Sequence, residues 1–329
     1  MRPSLTLGPV IAPLKFGVFP LGIAGGPEGV AAGPPDDFDA IGRAVLELQG
    51  EGRLLLPRMY VVWTGAASTP AVDAQIATLT TGGLPWDLVL CYRDPGGDVA
   101  AWARFVAGVV TRHGRELSAV QVTGEPNLTW VPQAADGAFP GAREALVHGV
   151  LAAGDAKRAT GATADIGFAV VPETDPAASG FWAGVRDLGG PAFAAALDYA
   201  GIDLYPDVFG PPIALAGLPA AVERLLRDFR ERDLVTAGVP ATVPIRICEN
   251  GWPTGPDRPE EKQASVLEAV IRAVHGLRGE LNVTHWELFT LRDADSAKDD
   301  LFHRFGVLRS DYTPKPAFHT LRRLIAELG

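Results

Sequence analysis

Short, continuous apolar runs alternate with longer amphipathic stretches along the whole chain. Eight runs stand out: Lys15–Pro20, Leu54–Trp63, Asp87–Tyr92, Ser118–Thr123, Ile166–Val171, Ala200–Tyr205, Val243–Glu249 and Asn282–Phe289. They are apolar throughout rather than on every second residue. That pattern marks strands covered on both faces, as in a parallel sheet. Helical stretches fill the gaps. After a Gly/Pro-rich loop (Leu21–Pro35), Asp36 or Asp39 can cap the first. The next lie near Pro70–Thr80, then Asp98–His113 with Gly114 as its stop, and Gly141–Thr160. Ala177–Leu197, Leu218–Arg232, Pro259–Leu277 and Pro316–Leu328 complete the set. Eight strand–helix units predict the α/β class and a single (β/α)₈ barrel over residues 1–329. The alternative is an open doubly wound sheet, which usually carries a Gly-rich phosphate loop after its first strand. Gly22-Ile23-Ala24-Gly25-Gly26 echoes such a loop weakly, without a basic residue or an immediate helix.

Composition supports a large core. Of 329 residues, 47% are hydrophobic and 21% charged, outside the range of disordered chains. The net charge of −10, with no runs of Lys or Arg, argues against a nucleic-acid partner. Cys91 and Cys248 both fall inside apolar runs and read as buried thiols, with no disulfide framework or zinc spacing. Residues Met1–Pro9 lack the apolar core of a secretory signal, and no run reaches the ~18–20 residues that span a bilayer. The chain therefore reads as soluble and cytoplasmic, with no membrane partner. The acidic loop Asp293, Asp295, Asp299 and Asp300 reads as a segment beside a cleft rather than a calcium loop. No cofactor or metal is implied.

In a (β/α)₈ barrel the chemistry sits where the strands end. The fourth predicted strand runs into Glu125, the sixth ends in Tyr205 and the seventh in Glu249. The second carries Arg58 and Tyr60 and ends in Trp63; the eighth carries His285, Trp286 and Glu287. A carboxylate at the end of a buried strand is costly unless it has a task. Glu125 and Glu249 lie 124 residues apart, three βα units, on opposite sides of the mouth. Two carboxyls flanking one site are what glycoside hydrolysis requires.

The motifs point the same way. Gly124-Glu125-Pro126-Asn127 resembles the Asn-Glu-Pro-Asn motif at the end of strand four in clan A glycoside hydrolases. Glu249-Asn250-Gly251-Trp252-Pro253-Thr254 resembles the nucleophile motif on strand seven of that clan. Arg304-Phe305-Gly306-Val307-Leu308 with Thr313-Pro314-Lys315-Pro316-Ala317-Phe318 is similar to the closing segment of several of its families. Families 39, 5 and 1 are the nearest in kind. The resemblance implies a retaining β-glycoside hydrolase acting on a carbohydrate by double displacement. Glu125 would be the acid/base and Glu249 the nucleophile. Tyr205 would hydrogen-bond the nucleophile, Trp286 would form the platform under the sugar, and Arg58 would keep the nucleophile ionised. Trp63, Trp130 and Trp252 are candidates for sugar subsites. One departure stands out. The clan places an Asn before the acid/base, where its amide meets the sugar 2-hydroxyl; this chain has Gly124, with Asn127 or His285 as candidate substitutes. Two other readings stay open: a carbohydrate-binding barrel with weak or lost catalysis, and a transglycosylase using the same glutamates.

Overall fold

In the computed structural model, which describes residues 12–173, 175 and 179–329, the eight apolar runs close into one parallel barrel. In chain order the elements begin with β1 (Lys15–Phe19), the antiparallel hairpin β2 (Ile23–Gly26) and β3 (Gly29–Ala32), and α1 (Phe38–Gln49). Then come β4 (Leu55–Trp63), α2 (Thr69–Thr81), β5 (Asp87–Tyr92), α3 (Val99–His113), β6 (Ala119–Gly124) and α4 (Ala142–Thr160). The second half holds β7 (Asp165–Val170), α5 (Phe181–Ala196), β8 (Ala200–Asp203), α6 (Leu218–Arg227), β9 (Ile245–Asn250), α7 (Glu260–Leu281), β10 (Val283–Phe289) and α8 (Pro316–Leu328). β1 closes the ring by pairing with both β4 and β10. The sequence readings at Met1–Pro9 and at the start of the Ala177 helix lie outside the described residues. Among the described residues, no helix is long and apolar enough to cross a membrane.

Two local expectations change. The cap of α1 is Asp37, not Asp36 or Asp39; its carboxylate accepts from the Ala40 N–H. Asp36 instead accepts from Arg292 Nε at 2.6 Å, beyond β10. The Gly22–Gly26 segment is not a phosphate loop but opens the β2–β3 hairpin. Its glycines serve close approach: a Cβ on Gly25 would lie 2.3 Å from the Gln133 carbonyl oxygen. Strands this short give no periodic signal in the sequence.

Side-chain alternation divides the strands into two faces. Phe16, Val18, Val61, Trp63, Leu88, Leu90, Ile247 and Trp286 join the large apolar layer packed under the helices. The inner face is partly polar. Arg58 lies 3.1 Å from Asp87 and 3.5 Å from Glu287, and donates to Gln121 Oε1 at 2.6 Å. Glu287 fills the space beside Gly17, where a Cβ would come 2.7 Å from its Cγ. Burial, then the neighbouring Asp87, pushes the Glu287 carboxyl well above the usual carboxylate range. One guanidinium thus holds two buried acids at the barrel centre. Arg58→Met is expected to destabilise the chain by about 3–5 kcal/mol, because Asp87 is left buried without its cation. The urea unfolding midpoint reads this directly, and an unchanged midpoint would contradict it.

Candidate active site

Strict alternation alone would not aim both Glu125 and Glu249 at the barrel mouth. Breaks in register do so. β6 slips against β7 between Gln121 and Gly124, and the chain there takes positive φ at Thr123 (68°) and Glu125 (49°). β9 slips against β10 past Trp286, and against β8 between Ile202 and Asp203. Cys248 points into the barrel, against Gly201 and Tyr199, and the next residue, Glu249, also turns inward. Irregularities of this kind re-aim side chains at strand ends, and non-glycine residues at positive φ persist only where their surroundings hold them.

The result is a cluster of three carboxyls. Oxygens of Glu125, Asp203 and Glu249 lie within 4.8 Å of one another. Both glutamates are half-buried, and Asp203 is 1% exposed. Their surroundings differ. Glu249 accepts from Tyr60 Oη at 2.5 Å and from Tyr205 Oη at 2.9 Å, one phenol on each oxygen. Burial, with the Glu249 charge beside them, holds both phenols well above their ordinary pKa, so they stay protonated and donate. Glu125 is pushed up to about 8, by burial first, then by Glu249 and Asp136. One carboxyl of the pair is raised by burial and the other is held by two phenol donors, a difference in surroundings suited to acid/base chemistry.

Asp136 holds the strand-four end in place. It is fully buried in the loop after β6, and its Oδ2 accepts from Gly124 N at 2.8 Å and Tyr92 N at 2.7 Å. Arg93 approaches its other oxygen at 3.6 Å. At the rim, Phe289 stacks on Phe19 at 5.6 Å between ring centroids and meets Phe305 edge-on at 5.5 Å. Phe209, 60% exposed, packs edge-on against Tyr205. A cavity of about 220 Å³, lined by Pro126, Asn127, Phe139, Arg143 and Phe181, opens beside the β6 loop rather than over the carboxyls.

The sequence-predicted residues part company here. Glu125, Glu249 and Tyr205 come together. Arg58 does not touch Glu249; it sits one layer down and reaches it through Tyr60, donating from Nε to Tyr60 Oη at 2.9 Å. Trp286 is a correction. It faces the helical layer, edge-on to Phe16, because position 286 has the opposite phase from the inward Glu287. Phe289, in phase with Glu287, takes the place facing the mouth. Trp63 is likewise buried outside the ring, stacked on Tyr92 and Phe105, with its Nε1–H on Thr69. Trp252 is 2% exposed, donates to Asp207 and lies between Arg258 and Lys262. It ties loops together rather than lining an open subsite. Asn127 spends both ends of its amide on the Val171 backbone, at 2.9 and 3.1 Å. His285 is buried near the opposite end of the strands, in register with Lys15 and Arg246, and cannot replace the missing amide at residue 124. Trp130 remains free, 67% exposed on the β6 loop.

The sequence reading places Tyr60 on its strand without a role, and weighs Asp203 as a substrate contact but leaves it outside the predicted site. The Arg58-x-Tyr60 alternation was the available signal for Tyr60, since both must share a face. Asp203 reads as an ordinary strand-end residue until its neighbours are known.

No protein-family model matches the chain, and no curated protein matches it by sequence. Solved structures do. A β-glucosidase from Exiguobacterium marinum superposes with a TM-score of 0.63 at 15% identity, over 95% of this chain and 98% of that one. A family 1 β-glucosidase from Thermotoga maritima gives 0.62 at 14%, over 96% and 98%. A family 39 glycoside hydrolase from the gut symbiont Bacteroides cellulosilyticus WH2 gives 0.60 at 17%, over 96% of this chain and 64% of the other. At such identities the likeness establishes the barrel architecture.

Proposed function

We propose that the chain is a retaining β-glycoside hydrolase, with Glu125 as acid/base and Glu249 as nucleophile. One observation carries this reading. Two carboxyls with oxygens within 4.8 Å stand at the C-terminal mouth of a barrel, one raised to about 8 by burial and the other held by two phenol donors. Inverting enzymes hold their carboxyls about 6.5–9.5 Å apart to admit a water; the closer spacing suits direct attack. The barrel's solved neighbours, β-glucosidases and a family 39 glycoside hydrolase, agree with a carbohydrate substrate.

The steps follow from the two environments. A Glu249 oxygen attacks the anomeric carbon as the glycosidic C–O bond breaks, and the Glu125 proton passes to the leaving oxygen. Glu125, now a carboxylate, takes a proton from water. The water oxygen attacks the same carbon, the bond to Glu249 breaks, and both groups are restored. Tyr60 and Tyr205 hold Glu249 in line, each donating to one of its oxygens.

A panel of aryl β-glycosides in gluco, galacto, manno and xylo series is expected to include a substrate released with retained configuration, read by NMR of the first product. Saturable sugar binding without release would favour the carbohydrate-binding reading. Predominant transfer to added sugar acceptors would favour a transglycosylase.

Tyr60→Phe removes one of the two donors on Glu249. A hydrogen bond to a charged group is worth about 1.5–3 kcal/mol, so kcat is expected to fall roughly 10- to 100-fold. Steady-state kinetics with KM measured alongside separates this from a loss of substrate binding, which would raise KM instead.

A further inference from the structure

Asp203 is the residue the two-glutamate mechanism leaves unused. Its carboxyl is 1% exposed, and neither oxygen has a hydrogen-bond partner. Yet an oxygen of Asp203 lies within 4.8 Å of both Glu125 and Glu249. Among the described residues, no Lys or Arg forms an ion pair with any of these three acids. Arg58, one layer below, already serves Asp87 and Glu287, and Arg93 donates to the Gln133 and Ala134 carbonyls. A buried carboxyl without donors is costly, and buried polar groups are otherwise almost always paired. A third acid beside two others calls for a positive charge.

We propose that Asp203 receives the ammonium group of the substrate, a glycoside whose cleaved sugar carries a free amino group at C2. This rests on the hydrolase reading above. Glu249 meets the anomeric carbon and Glu125 the glycosidic oxygen. The ring substituent nearest both is the one on C2, so a third carboxyl within 4.8 Å of each is placed to read it. Gly124 supports the assignment from the other side. It stands where the resemblance expects an Asn that meets a 2-hydroxyl, and the backbone there does not demand glycine. A Cβ on Gly124 would meet nothing closer than Cys91 Sγ at 3.8 Å. The chain therefore lacks that neutral reader of C2 and has a carboxyl there instead. Burial, then Glu249 and Glu125, raise the Asp203 carboxyl well above its usual range, so an arriving ammonium takes the place of its proton. The charge has a use in the reaction as well. An ammonium beside the anomeric carbon opposes the positive charge that develops there, and a nearby carboxylate offsets it.

The test compares matched 4-nitrophenyl β-glycosides with a 2-ammonium, 2-hydroxyl or 2-acetamido group, in gluco, galacto and manno series. The wild-type chain is expected to prefer the 2-ammonium substrate by at least about tenfold in kcat/KM, as befits a desolvated charge pair. Asp203→Asn is expected to erase that preference, with the loss concentrated on the 2-ammonium substrate. If wild type turns over the 2-hydroxyl or 2-acetamido substrates as well or better, the hydrolase reading stands and the assignment of Asp203 falls. If nothing is hydrolysed, calorimetry with the methyl 2-amino-2-deoxy-β-glycosides and their 2-hydroxyl counterparts decides it. Tighter binding of the amine by wild type but not by Asp203→Asn supports the assignment, and equal binding overturns it. Should magnesium or calcium chloride raise the melting temperature of wild type but not of Asp203→Asn, with no amine preference, the three carboxyls form a metal site and the proposal is overturned.

Discussion

Glu249→Ala is expected to lower hydrolysis of the best aryl β-glycoside by at least about 10⁴-fold, in line with the loss of a covalent nucleophile elsewhere. The side chain removed is the only carboxylate of the cluster that accepts two phenols. The space it leaves admits a small anion. Azide added to the variant should therefore restore turnover, and the glycosyl azide formed should have the opposite anomeric configuration to the substrate. NMR of that product reads its configuration. A variant that keeps more than about a tenth of wild-type activity would show that Glu249 is not the nucleophile. Failure of azide to rescue would not rescue the assignment either way, so the rate itself is the criterion.

The second large effect concerns Glu125 and pH. Burial, Glu249 and Asp136 raise its carboxyl to about 8. The first step needs that proton, so kcat/KM is expected to fall as pH rises through about 8. Glu125→Gln should remove this alkaline limb. It should cost on the order of 10²–10⁴-fold with a poor leaving group, and far less with an activated nitrophenol that leaves without protonation. Equal losses for both leaving groups would contradict the role of acid. The same shift has a stability consequence of definite sign. The folded state binds a proton that the unfolded chain releases near its ordinary value of 4.5. This contribution is therefore complete below about 4.5 and is lost as pH rises through about 8. Replacing Glu125 by Gln should flatten that decline in thermal stability.

The barrel was legible because its signal is repetitive. Eight apolar runs at regular spacing leave few topologies, and a short strand followed by a helix can only return in parallel. The strand limits read from Asp87–Tyr92 match the structure, and most others differ by one or two residues. The hairpin at Ile23–Ala32 was not legible, since its strands are four residues each and rest on loops. The two glutamates were legible because each ends a buried strand in a recognisable motif.

The aromatic residues were misread for one physical reason. At a strand end, which face a side chain takes depends on the phase of alternation, and a single slip of register reverses it. Trp63 and Trp286 fall on the helix side, while Phe289, three residues further than Trp286, reaches the mouth. Residue type alone does not carry that phase. The slips at Gln121/Gly124 and Ile202/Asp203 that aim Glu125 and Glu249 are likewise invisible in the sequence. They arise where eight staggered strands must close on one another.

By itself, then, the sequence determined the class of fold, the order of its units and the two carboxyls that face each other. These follow from local pattern and from spacing along the chain. The tertiary structure decided which groups surround those carboxyls. Tyr60 reaches Glu249 from β4, Arg58 acts only through Tyr60, and Asp203 joins from the end of β8 as a third, unpartnered acid. These neighbours come from strands far apart in the chain. Only the folded barrel brings them together, so their contribution depends on geometry that no stretch of sequence contains.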